Sequence, residues 1–187
     1  MKIDKNLNLV VPVDGADGVI YFHSTPILRE TFEKYHFVIC AAFTKLLEAG
    51  MQLTGAKIAA MTLKSVAIEQ GKWEGQEGVE NGLMAQIERL TNALCLTEKG
   101  WEVLPVLDAI KRGFVEDDDW QEAKQRIVFF TLISKMTRAA VRDDLLAIMG
   151  DSWQTQITSL NCTAFANGLP ISNAIETSSA KQSSLPV

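Results

Sequence analysis

Two histidines, three cysteines and one run of three aspartates are the residues best suited to metal or acid–base chemistry. His23 ends a β-prone run, and His36 falls within a helical period, so the two sit on separate predicted elements. A metal site needs three or four convergent ligands. Neither histidine shares a helix face with two carboxylates or a cysteine at ligand spacing. Each therefore reads as a hydrogen-bonded structural histidine. Asp117, Asp118 and Asp119 offer oxygens of the kind that Ca²⁺ and Mg²⁺ take. They also stand where a helix begins, and acids there offset the unpaired N–H groups and the helix dipole. Capping is the reading adopted. Asp143 and Asp144, with Arg138 and Arg142 nearby, read as a solvated helix face.

Nucleophilic and phosphate-binding chemistry find no better footing. Cys40, Cys95 and Cys162 are odd in number and far apart, with no Cys-x-x-Cys pair. They read as reduced thiols of a cytosolic protein, with a disulfide between two of them as the minor alternative. Asn161-Cys162-Thr163 matches a glycosylation acceptor, which has no consequence in that compartment. The glycine-rich stretch Asp14-Gly15-Ala16-Asp17-Gly18 lacks the Lys-Ser/Thr ending of a phosphate loop and the spacing of a dinucleotide fingerprint. It reads as a turn. No Gly-x-Ser-x-Gly elbow is present. The expectation is a protein without catalytic residues, cofactor or metal.

The elements that would carry these residues are mostly helices. Leu7 to Val11 and Val19 to Phe22 are β-prone runs around the glycine-rich turn, which predicts a hairpin over about 7–23. Ser24 or Thr25 then caps a helix with Pro26 in its first turn. Its apolar face runs through Leu28, Phe32, Tyr35, Ile39, Phe43 and Leu46 to a stop at Gly50. A second helix runs from Thr54 or Gly55 to Gly71. Lys72 to Gly82, glycine-rich and carrying Trp73, reads as a loop or weak helix end. Leu83 to Leu96 keeps helical period through Leu83, Ile87, Leu90 and Leu94. A short helix is expected over Leu104 to Lys111, and a longer one from Trp120 to about Met149. Its stretch Ile127 to Ile133 is apolar all round and should be the most buried. The fold class expected is mainly α: one helical domain over 1–166 with a small N-terminal hairpin, then a flexible tail over 167–187 rich in Ser, Thr, Ala and Pro.

The totals narrow the partners. A net charge of −5 and a pI near 5.1 give no electrostatic footprint for nucleic acid. The longest apolar runs fall far short of the roughly 20 residues of a membrane helix. What remains is surface for other proteins. Aromatic residues are enriched at interaction hot spots. Trp120 at a helix start reads as core, whereas Trp73 and Trp153 lie in polar, weakly patterned surroundings. Trp73, Trp153, Leu160 and Phe165 are the candidate contact residues.

The chain resembles the tail assembly chaperones of long-tailed phages. The likeness rests on the β-prone N-terminal segment followed by Thr25-Pro26-Ile27-Leu28-Arg29-Glu30, on Ile127-Val128-Phe129-Phe130-Thr131-Leu132-Ile133-Ser134-Lys135-Met136 with the Leu145-Leu146 stretch after it, and on Trp153 to Thr163. It covers about the last seventy residues best and the first fifty loosely. The resemblance implies a protein of the infected host's cytoplasm, absent from the finished virion, that coats the tape measure protein before tail tube subunits polymerise around it. It further implies a longer form made by programmed ribosomal frameshifting, whose added portion recruits the tail tube protein. Homo-oligomerisation is a further expectation. The alternative expectation is a structural virion protein, such as a tail-completion or head–tail connector component.

Overall fold

The structure, a computed structural model, describes residues 8–16, 18–48, 51–97, 100–136 and 155–169. The hairpin is present. Strand β1 (Asn8–Gly15) pairs antiparallel with β2 (Gly18–Ser24), with Val11 opposite Phe22 and Gly15 opposite Gly18. Gly18 takes φ 129°, a value that side chains other than glycine rarely adopt, so the tight turn falls where the glycines stand.

The mainly α expectation is overturned: the fold is α+β. A five-stranded antiparallel sheet runs in the order β4-β3-β2-β1-β5. Strand β3 (Thr91–Thr97) pairs with β2 and with β4 (Gly100–Pro105), and the three-residue β5 (Gln156–Thr158) pairs with the start of β1. The helix expected over Leu83 to Leu96 therefore ends early. A π-turn over Glu80–Met84 runs into α3 (Ala85–Arg89), and the chain becomes extended at Thr91. The physical reason is burial on both faces. Ala93 and Cys95 point to one side and Leu94 to the other, all three buried, so β3 shows an apolar run with no alternation. The helix expected over Leu104 to Lys111 is likewise shortened. Gly100–Pro105 is strand, and α4 occupies Val106–Lys111 with Pro105 just before its first turn.

The two sheet faces are unequal. Leu9, Val11, Val13, Ile20, Phe22, Ala93 and Leu104 point into the main core. There they meet α1 (Arg29–Glu48), α2 (Met51–Glu69) and α5 (Asp117–Met136). Helix α1 begins three residues later than the Pro26 position implied, because Thr25 is still tied to the strands by its amide bond to the Leu90 carbonyl at 3.0 Å. Helix α2 turns Leu63 inward together with Ala56, Ala59, Ala60 and Ala67, whose small side chains allow close approach to α5. Gln125 of α5 accepts a bond from the Ala60 amide at 2.8 Å. Residues Ile127 to Ile133 are all buried, as the apolar run required. Trp120 is buried too, its ring 5.8 Å from that of Phe22, so the first turn of α5 is pinned to β2. Residues 137–154, where the longer helix was expected to continue and where Trp153 lies, and most of the expected tail (170–187) fall outside the described residues.

The other sheet face carries a second, small core. Val10 and Leu94 meet Phe165 and Ala166 of α6 (Cys162–Asn167), with Tyr21, Trp101, Val103 and Cys162 around them. Asn161 caps α6 by accepting the Ala164 amide at 2.8 Å. The arm over 155–169 thus lies across the sheet as one strand and one helix. Beyond the reach of β5, the outer edge of β1 is closed differently: Arg126 donates to the Pro12 carbonyl at 3.0 Å, and Pro12 has no N–H to offer a foreign strand.

Candidate interaction surface

The glycine-rich segment after α2 is an ordered loop that passes at Glu80 into the π-turn before α3. Its amides turn inward: Val79 donates to Lys72 at 2.8 Å, Glu80 to Trp73 at 3.1 Å and Gly78 to Gly75 at 3.0 Å. Tyr35 of α1 holds the loop down, sharing its hydroxyl proton between the carbonyls of Glu77 (3.1 Å) and Gly78 (3.3 Å). Glycine is required at 78 and 82 for space. A Cβ at 78 would overlap the Trp73 carbonyl, and one at 82 would overlap the Tyr35 hydroxyl.

This closure leaves a cleft of about 520 Å³ between α1 and the loop, lined among others by Lys34, Tyr35, Phe37, Val38, Gly71 and Lys72. Phe37 stands at its rim with 67% of its surface exposed, and Lys72 lies over the Phe37 ring, Nζ 5.6 Å from the centroid. Trp73 is half-buried against the main core, with Lys64 over its ring at 5.3 Å. The charges near the cleft are mixed. Lys34 reaches the Glu77 carboxylate at 3.4 Å, an exposed pair that contributes little. More apolar surface follows along the helices: Leu47 is 48% exposed on α1, and Met61 and Ile68 are 56% and 54% exposed on α2.

The four sequence candidates do not meet in one place. Trp73 lies on the loop that borders the cleft, packed against the main core rather than lining it. Leu160 and Phe165 lie on the opposite side of the sheet. The Leu160 side chain is half exposed, and its carbonyl accepts from Asn8 Nδ2 at 2.9 Å and His23 Nε2 at 3.0 Å. His23 is therefore a structural, buried histidine that tethers the arm. Phe165 is buried beside Tyr21 and His23, at ring distances of 6.1 and 6.2 Å. Trp153 lies outside the described residues. Sequence reasoning passed over these exposed residues: it left Phe37 off the apolar stripe of α1 without naming it a contact candidate, and counted Met61 and Ile68 among the apolar positions of α2. The available signal was that Phe37 and Ile68 fall off the 3.6-residue stripes.

Chemistry is sparse among the described residues. No group of three His, Cys, Asp or Glu side chains converges. Burial, aided by the Glu102 carboxylate, pushes the Cys95 thiol up to about 11, and burial alone does the same for Cys162. Both are protonated at neutral pH and poor nucleophiles. Asp119 accepts the Glu116 amide at 3.3 Å at the start of α5, a capping contact. His36 donates from Nδ1 to the Glu33 carbonyl at 2.8 Å within its own helix. Among the described residues no helix is long and apolar enough to cross a membrane. No protein-family model, curated protein or solved structure matches the chain.

Proposed function

We propose that this chain is a phage tail assembly chaperone, a non-enzymatic protein that binds the tape measure protein and keeps it soluble during tail morphogenesis in the host cytoplasm. The observation that carries the reading is the apolar surface left in solvent on α1 and α2. Phe37, Leu47, Met61 and Ile68 are each about half exposed or more, and Phe37 lines the cleft between α1 and the loop that Tyr35 holds down. Large apolar side chains exposed on neighbouring elements mark surfaces that other chains cover. A long helical protein with unpaired apolar faces is the class of client that such a surface serves, since a helix lays its apolar side against a groove. The sequence resemblance supplies the client's identity. The recruitment of tail tube protein by a frameshifted longer form belongs to the same proposal.

Co-expression with the phage's tape measure protein tests it. The tape measure protein should be insoluble alone and should co-elute on size exclusion with several copies of this chain. A Phe37→Asp/Ile68→Asp variant, altered only at exposed positions, should fold normally and lose the complex. If the tape measure protein stays insoluble and this chain is found in purified tails, it is a virion component and the chaperone reading fails.

A further inference from the structure

The outer face of α2 has a pattern that the apolar exposure alone does not capture. Lys57, Met61, Lys64 and Ile68 are all exposed and follow one another at intervals of four, three and four residues. That spacing puts them in one line along the helix. The line spans about 17 Å at 1.5 Å per residue. Lys72 extends it into the loop and carries it to Phe37 of α1. Cation and apolar side chain thus alternate along a single seam that ends at the cleft.

Among the described residues, Lys57, Lys64 and Lys72 make no ion pair. Glu69, beside the seam on α2, is already engaged: Lys45 lies 2.7 Å from it and Ser65 donates to it at 3.2 Å. At the cleft end, Glu77 is reached by Lys34 at 3.4 Å, and Glu74 lines the cleft with Lys72. Lys64 and Lys72 rest over the rings of Trp73 and Phe37, cation–π contacts that hold both charges along the seam. This occurs in a chain whose net charge is −5. A local row of cations with no ion pair among the described residues, on an acidic protein, selects its partner by the opposite charge.

We propose that the Lys57–Met61–Lys64–Ile68 seam, continued by Lys72 and Phe37, docks an acidic amphipathic helix. The partner helix places an apolar seam on Met61, Ile68 and Phe37, and sets Asp or Glu beside it against the three lysines. A seam with intervals of four and three is the geometry with which two helices pack at a shallow crossing angle. The inference deepens the chaperone reading and rests on it for which protein carries the helix. It adds that the bound segments of that protein are acidic.

The test uses the full chain and three labelled synthetic peptides of about 20 residues, long enough to hold a helix. One is amphipathic with Glu flanking a Leu seam, one has the same seam flanked by Lys, and one is a scramble of the acidic peptide. Fluorescence anisotropy should show that the acidic amphipathic peptide binds and that the other two bind at least about tenfold more weakly. The Lys57→Glu/Lys64→Glu/Lys72→Glu variant, checked for native circular dichroism, should reverse the preference between the acidic and basic peptides. Binding of the acidic peptide should also weaken with added salt. Failure of the acidic peptide to bind, equal binding of the scramble, or an unchanged preference in the variant each overturns the inference. So does a light-scattering mass that falls from dimer to monomer in the variant, which would assign the seam to a second copy of this chain. Co-elution of the tape measure protein with both wild type and variant would overturn the seam while leaving the chaperone reading standing. Loss of co-elution with wild type would strike that reading itself.

Discussion

Tyr35 is the side chain on which the cleft depends. Its hydroxyl reaches two loop carbonyls, and Gly82 leaves room for it. Gly82→Ala should cost about 1–3 kcal/mol by overpacking, and Tyr35→Phe about 1 kcal/mol for the lost hydrogen bond. Urea titration checks both; a neutral Gly82→Ala would mean that the loop is not held against Tyr35. The thiols give a second prediction. For Cys95 and Cys162 the folded-state value lies above the ordinary 9.0, at about 11. A raised value favours the neutral thiol in the folded state, so this contribution to stability is complete below pH 9 and is lost as pH climbs from 9 to 11. Iodoacetamide at pH 8 should therefore label both residues more slowly in the folded chain than in urea, buried Cys95 most of all, and labelling of Cys95 at the free-thiol rate would contradict its burial. Some residue roles were legible in the sequence. Trp120 was read as core from its place at a helix start, and it packs on Phe22. Phe165 was not so readable, because its burial depends on Val10 and Leu94, strand residues far away in the chain.

At the scale of elements, the hairpin and the helices α1, α2 and α5 were readable because each carries a local signal: a glycine turn between β-prone runs, or apolar residues at helical period. Strands β3 and β4 were not. The helical spacing of Leu83, Ile87 and Leu90 continues by coincidence onto Leu94, with no glycine or proline from Leu83 to Leu94 to mark the change. β3 is covered on both faces, so it lacks the alternation that distinguishes a strand. The arm of β5 and α6 covers the second face through one satellite core and the bonds of Asn8 and His23 to the Leu160 carbonyl. Phe165→Ala should remove the main anchor of that core and cost about 3 kcal/mol. The Tyr21–Trp101 pair on the same face, 5.5 Å apart, should then report a change in tryptophan emission. A wild-type melting curve in the variant would mean that α6 contributes nothing to the sheet.

For the whole molecule, the arrangement separates two faces by purpose. One side of the sheet is buried under α1, α2 and α5, whose outer surface presents Phe37, Leu47, Met61 and Ile68. The other side is closed by the chain's own arm. On the proposed reading, interaction falls to the helical side and not to the region of Leu160 and Phe165, which the sequence offered alongside Trp73 of the glycine-rich loop. Net charge and composition were enough to direct attention to protein partners, but the position of the exposed surface required the sheet that the sequence concealed. The central claim is that the helical side covers the client. The most direct measurement is oxidative footprinting, read by mass spectrometry, of this chain alone and in complex with the tape measure protein. Met61 is half exposed and readily oxidised, which makes it the natural reporter. The account predicts that Met61, Phe37 and Trp73 become protected in the complex while Leu160 stays as reactive as before. Unchanged oxidation at Met61 and Phe37, with protection appearing at Leu160, would place the client on the opposite face and contradict it.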